Sequence, residues 1–170
     1  MHVTKPRPLA VRILKELAWI AVFVAVYWII SADQAPALAV GQRAPAFTAD
    51  RIGGGPNVSI SPALHKQKVL VFWAPWCRVC ATELPLLGDL QKNLGDKVQV
   101  VGVGLSGSRE EMQKFVGKKA ADFPHVYAPE EADAFGIKAF PTIFVLDADN
   151  VVKARYVGFT TAMRIKIGLR

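Results

Sequence analysis

Two cysteines, Cys77 and Cys80, are the whole thiol content of the chain, and they stand three positions apart in the stretch FWAPWCRVC, residues 72 to 80. A bond between them closes a very small loop. It therefore restricts the unfolded chain little and makes a poor structural staple, so a chemical role is the better reading of the pair. Disulfide exchange needs a thiolate whose charge is stabilised. Cys77 follows the apolar run Val69-Leu70-Val71-Phe72-Trp73 and precedes a helical pattern, a place where a buried strand hands the chain to a helix N-terminus. Free amides there supply about half a positive charge. Arg78 adds a full cation, and Cys80, one turn on, can donate its S–H. Cys77 is expected to ionise readily, to face outward and to attack a partner's disulfide. Cys80, deeper in the helix, then resolves the mixed disulfide by attacking Cys77, and the reverse order hands a disulfide to the partner. Glu83, three residues beyond Cys80 on the same helix face, is the one acid in reach to take the Cys80 proton; a solvated helix charge fits its spacing equally well.

Other chemistries of a cysteine pair fare worse. Structural zinc wants four ligands, and beyond the pair the chain has only His2, His65 and His125, none at ligand spacing from a cysteine. His65 and His125 read as ordinary surface or loop residues. A Cu(I) relay protein is the surviving non-enzyme alternative, since two thiolates suffice for a soft ion. A peroxidatic cysteine would have Thr or Ser three residues before it, where this chain has Ala74. No organic cofactor and no resident metal are expected. The formal charge of +7 is spread without a dense basic run, which argues against nucleic acid.

The elements that must position the pair read as one α/β domain. Phe47 to Ile52 and Asn57 to Ile60 flank Gly53 to Pro56 as a hairpin. After the strand Val69 to Trp73, Leu84, Leu87 and Leu90 mark a helix over Ala81 to Lys92, and Val98 to Val103 is a second buried strand. Ser108 and Glu111 form a capping box that opens a helix running to about Lys119. Phe123 to Tyr127 reads as a short strand and Glu130 to Phe135 as a short helix. Thr142 to Leu146 and Val151 to Val157 form a hairpin about the turn 147–150, and Thr160 to Arg170 is a terminal helix with Met163 and Ile167 inward. The order predicts a central mixed sheet with helices on both faces, and reactive sites of open sheets favour strand C-terminal edges.

Ahead of this domain, residues 17 to 30, LAWIAVFVAVYWII, are uncharged and apolar, with Lys5, Arg7, Arg12 and Lys15 before them. The run alone reaches only ~21 Å against a ~30 Å hydrocarbon core. Starting the helix near Leu9 or Val11 supplies the missing turns, with Arg12 and Lys15 snorkelling and Tyr27 and Trp28 near the far interface. The basic flank puts the N-terminus in the cytoplasm and the domain outside. The expected layout is a basic cytoplasmic segment 1–10, a transmembrane anchor 11–31, a linker 32–43 and a domain 44–170. Cleavage before Val40, after the small-x-small site Ala37-Leu38-Ala39, is the competing reading.

Val69 to Cys80 resembles the active-site strand and turn of thioredoxin-fold proteins. The continuation C-x-x-C-x-x-E-x-P, through Glu83 and Pro85, is similar to the membrane-anchored TlpA, ResA and DsbE branch of that superfamily, as are Ala44-Pro45-Ala46-Phe47 and Gly136 to Asp147. The resemblance runs from about Ala44 to Gly158. It implies a thioredoxin-like fold with an extra segment at about 105–130 and thiol–disulfide exchange in the periplasm. It implies Cys77 and Cys80 as the redox disulfide and Pro141 as a cis-proline facing them, with Phe140 presenting its backbone to an extended substrate. Trp76, Arg78 and Val79 would line the substrate groove. The partners implied are protein dithiols and disulfides, with electrons from a membrane donor of DsbD type and delivery to apocytochrome c or related thiols. Two departures stand out. The buried acid of thioredoxin's central strand is replaced by Val71, and Arg78-Val79 is unlike the common dipeptides, so the resemblance does not carry over the direction of electron flow. A disulfide-donating oxidase or a copper-stress protein of ScsD type is the alternative.

Overall fold

The computed structural model describes residues 9–32, 37–119 and 123–170, with side chains for 13–27, 37–118 and 123–170. It divides into two units, Met1–Ala35 and Pro36–Arg170. The first contains helix α1, Leu9–Ala32. Among the described residues no helix is long and apolar enough to cross a membrane. Positions 1–8 of the expected basic segment, positions 33–36 of the expected linker and the side chains of Arg12 and Trp28 lie outside the described residues.

The second unit is built on a seven-stranded sheet of order β2-β1-β5-β4-β3-β6-β7. Its strands are β1 (Phe47–Arg51), β2 (Val58–Ile60), β3 (Gln67–Trp73), β4 (Val98–Gly104), β5 (His125–Tyr127), β6 (Thr142–Leu146) and β7 (Val152–Val157). Strands β3, β4 and β5 run parallel, and β6 lies antiparallel to β3 with Phe72 opposite Thr142. The sheet is mixed, as expected. From β3, Val69, Val71 and Trp73 enter one apolar cluster, and Leu70 and Phe72 enter the other. A strand buried on both faces has no use for polar alternation, which is why its sequence reads as a continuous apolar run.

Helices cover both faces. On the first, α2 (Arg78–Leu94) buries Leu84, Leu87 and Leu90, α3 (Arg109–Lys119) contributes Met112, Phe115 and Val116, and α5 (Ala162–Gly168) contributes Ile165. On the second, the short α4 (Glu131–Ala134) leads into Phe135, whose ring packs 4.8 Å from Phe72 and 5.5 Å from Phe144. The capping box is reciprocal: Ser108 N–H donates to Glu111 Oε2 at 2.8 Å and Glu111 N–H to Ser108 Oγ at 3.2 Å. At the β6–β7 turn, Asp147 Oδ1 accepts from the Asp149 and Val151 amides, leaving Asn150 at φ 64°.

Two expectations are corrected. Met163 and Ile167 do not point inward; they are 66% and 60% exposed, while Ile165 is fully buried. The helix is so short that one residue reaches the sheet, with Ala162 three before it and Leu169 four after it packing alongside. His125 is not a surface or loop residue but lies buried on β5, its ring 4.4 Å from Phe123 and edge-on to Trp73 at 5.7 Å. Strand β5 sits inside the sheet between β4 and β1, and the His125 ring lies on the face covered by the cluster that contains Trp73 and Phe123. His65 is exposed, in a left-handed turn.

The His125 ring occupies the space above β4 that a side chain at position 102 would need. A Cβ on Gly102 would run into that ring and come within 3.0 Å of Trp73 Nε1. Gly102→Ala is expected to destabilise the domain by about 1–3 kcal/mol through overpacking, measured as a lower urea midpoint at unchanged m-value. An unchanged midpoint would mean the ring is free to move aside.

Candidate active site

Strand β3 ends at Trp73, and Ala74 follows it fully buried. The chain then turns within three residues, the Cys77 N–H bonding to the Ala74 carbonyl at 3.0 Å, and α2 begins. The helix starts at Arg78, earlier than the leucine pattern suggests, and its N-cap is Cys77 itself, with φ −80° and ψ 105°. The Cys77 sulfur accepts the Cys80 N–H at 3.1 Å, the place usually taken by a serine or aspartate oxygen. Cys77 and Cys80 are joined in a disulfide with their Cα atoms 5.3 Å apart. Cys80 is completely buried and Cys77 is 6% exposed, so the first sulfur shows only a small surface rather than facing fully outward. Among the described residues no three His, Cys, Asp or Glu side chains gather to hold a metal ion.

Pro141 reaches the same sheet edge from the neighbouring strand. Because β6 runs antiparallel to β3, its N-terminal residue Thr142 lies beside Phe72, and the loop before it comes alongside the disulfide turn. The Phe140–Pro141 peptide bond is cis. The Phe140 ring, half-buried, meets the Trp76 ring edge-on with centroids 5.4 Å apart. Trp76 is 65% exposed and donates its Nε1–H to Ser106 Oγ at 3.4 Å. Val79 and Arg78 are exposed on the first turn of α2, and among the described residues Arg78 has no ion-pair partner.

Glu83 is not a solvated helix charge. It is 1% exposed, its Oε1 accepts the Thr160 N–H at 2.7 Å, and its Oε2 has no hydrogen-bond partner. Burial pushes its pKa above the ordinary carboxylate value, against the opposing pull of the Thr160 amide. Two residues beyond the sequence reading belong to this arrangement. Gly158, at φ 78°, donates its N–H to the Pro141 carbonyl at 2.8 Å, and Thr160 supplies the amide to Glu83. The positive φ is a conformation that only glycine adopts freely. Neither residue carries a local signal of its own, because the partners lie 17 and 77 positions away in the chain.

The arrangement is one for two-electron thiol–disulfide exchange, and known proteins share it. The Redoxin family's sequence profile matches residues 39–164. The chain is 31% identical over 125 residues to the thioredoxin-like protein YneN of Bacillus subtilis, covering 71% of this chain and 73% of that one. It is 28% identical over 133 residues to the thiol-disulfide oxidoreductase ResA of Geobacillus thermodenitrificans, covering 76% of each. Among solved structures it is similar to a thiol:disulfide interchange protein of the thioredoxin family from Chlorobium tepidum. That pair has a TM-score of 0.67 at 28% identity, covering 79% of this chain and all of the other. A pair of cysteines at a helix N-terminus, closed as a disulfide on a thioredoxin-like sheet, is thus accompanied by family-wide similarity: the chain belongs to the Redoxin family, in its TlpA/ResA/DsbE-like branch of thiol–disulfide oxidoreductases.

Proposed function

We propose that this oxidoreductase reduces disulfides of partner proteins in the periplasm while tethered to the inner membrane by α1. In the reduced enzyme the Cys77 thiolate attacks a partner disulfide, one partner sulfur leaves as a thiolate, and a mixed disulfide forms. Cys80 gives its proton to Glu83 and attacks the Cys77 sulfur. The second partner sulfur leaves, and the enzyme is left with the Cys77–Cys80 disulfide. Two electrons pass to the partner; one of its sulfurs takes the Cys80 proton by way of Glu83, and the other takes a proton from solvent. A membrane donor of DsbD type restores the dithiol, and apocytochrome c or a related thiol protein is the receiver. The observation that carries this reading is Glu83, buried three residues beyond Cys80 on α2 with one oxygen bonded and one open. A carboxylate whose pKa is raised by burial is a better base than a solvated one. Pro141 and Phe140 form the wall against which the partner's segment lies, with Trp76, Arg78 and Val79 as its rim.

The anchor is supported by the 24 residues of α1, about 36 Å at ~1.5 Å per residue. Among the described residues no helix is both long and apolar enough to cross a membrane, but apolar side chains from Leu14 to Phe23 and Tyr27 are exposed on α1, as they would be on a helix that meets lipid. The remaining layout is a cytoplasmic basic segment, a linker and the thioredoxin-like domain from residue 44.

The opposite direction, donation of the disulfide, has one feature in its favour. The Cys80 amide at the Cys77 sulfur and Arg78, which has no ion-pair partner among the described residues, stabilise a thiolate, and whatever stabilises the reduced form makes the couple more oxidising. Equilibration with glutathione buffers decides: a potential near or below about −270 mV supports the reductase, and one near −120 mV overturns it. In the same protein Cys80→Ser is expected to trap partners as mixed disulfides on Cys77, and Cys77→Ser to trap none.

Glu83→Gln is expected to slow resolution of the mixed disulfide by about 100-fold and to remove a pH dependence of stability. The folded-state pKa of Glu83 is raised, so its contribution is fully present below the unfolded carboxylate pKa and is lost as pH rises through the higher folded value. Urea denaturation of the oxidised protein from about pH 4 upward should show the wild type losing stability relative to Glu83→Gln. Parallel curves would remove Glu83 from the proton path. Deletion of residues 1–35 is expected to move the protein from the membrane to the soluble fraction, and retention in the membrane would rule out α1 as the anchor.

A further inference from the structure

The disulfide turn and helix α3 face each other across a groove of about 360 Å³ lined by Pro75, Trp76, Glu111, Lys114, Phe115 and Lys118. Its floor is aromatic. Phe115 is half-buried with its ring stacked on Trp73 at 4.8 Å, and Trp76, the chain neighbour of Cys77, stays exposed. Its charged rim is unevenly committed. Glu111 turns its carboxylate to the α3 N-terminus, where Oε2 accepts the Ser108 amide, a favourable place for negative charge. Lys114 and Lys118 stand one turn apart on one helix face, both exposed and in no salt bridge among the described residues, with Glu110 one turn before Lys114 as the nearby opposite charge. Like charges at that spacing disfavour the helix slightly, a cost that an anion between them removes.

We propose that this groove seats the partner segment beside the exchanging cysteine, and that it selects segments in which an aromatic or apolar side chain is flanked by carboxylates. The inference rests on the thiol-exchange reading and adds the class of substrate. The aromatic floor takes the apolar side chain out of water, the two lysines take the carboxylates, and Arg78, the residue after Cys77 at the start of α2, adds a charge of the same sign.

The test uses the full chain, reduced, in detergent, with three kinds of symmetric disulfide-linked peptide dimer. Each peptide has a phenylalanine two residues from its single cysteine, placed on either side in turn. The dimers differ only in the pair of residues flanking that phenylalanine: glutamates, glutamines or lysines. Each turnover forms the Cys77–Cys80 disulfide and releases two peptide thiols. At low ionic strength the glutamate dimer should be reduced about fivefold faster than the glutamine dimer, the size expected of two exposed ion pairs, with the lysine dimer slowest and the spread narrowing as salt is added. In Lys114→Glu/Lys118→Glu protein the order should invert. Equal rates in the wild type, or an order that charge reversal leaves in place, overturns the groove proposal while leaving the exchange reading intact. The wild-type comparison decides by itself if the reversed protein does not fold. Failure to reduce any dimer overturns the exchange reading and the groove with it.

Discussion

Burial of β3 on both faces is the constraint from which the active site follows. Its side chains divide between two apolar clusters, and its two neighbours, β4 parallel and β6 antiparallel, complete its hydrogen bonding. A strand so enclosed leaves the sheet only at its end, and the exit at Trp73 leads into Ala74 and the disulfide turn. The antiparallel register of β6 brings the cis Phe140–Pro141 bond to the same edge. The cysteines and the proline thus meet because of one strand's position, although they are more than sixty residues apart in the chain. The apolar transfer energy of the core, roughly 25 cal/mol per Å² buried, is what holds that geometry.

The segment from Gly158 to Thr160 ties the two sides of the site together. One amide goes to the Pro141 carbonyl and another, two residues on, goes to Glu83 on α2. A displacement of either the proline loop or the helix is therefore felt by the other through a short run of backbone. Glycine at 158 permits the left-handed turn that points both amides inward. The domain's charge-bearing chemistry is accordingly held by backbone donors rather than by ion pairs; among the described residues the one salt bridge, Arg109–Asp50 at 3.2 Å, joins two exposed side chains.

What the sequence made legible follows from how local each signal is. The apolar run of β3, the capping box at Ser108 and the hairpin turn at Asp147 are written in adjacent residues, and each element lies where those residues place it. The terminal helix was harder to read because Met163, Ile165 and Ile167 are all apolar, and with so few turns the pattern does not say which one reaches the sheet; geometry selects Ile165. The burial of His125 is hidden from its local sequence for a different reason. Its burial depends on β5 lying between β4 and β1, and on glycine at 102 clearing room for the ring, neither of which is visible from the neighbours of His125. For Glu83, helical spacing put the carboxyl on the Cys80 face but could not distinguish a solvated acid from a buried one. The deciding partner, the Thr160 amide, arrives from the far end of the domain.

The half-satisfied state of Glu83 suits a group that must both lose and take a proton. With both oxygens hydrogen-bonded, the anion would be stabilised, the pKa would fall and the carboxylate would be too weak a base for a thiol. With neither bonded, desolvation alone would hold the acid protonated and unable to accept anything. One amide on Oε1 and none on Oε2 lies between these limits, and it leaves the open oxygen as the basic one. The same balance is consistent with an apolar central strand, where Val71 is fully buried. Two buried carboxylates behind one disulfide would repel each other as anions, so one would remain protonated, and the single acid on α2 avoids that conflict while keeping β3 wholly apolar from Val69 to Trp73.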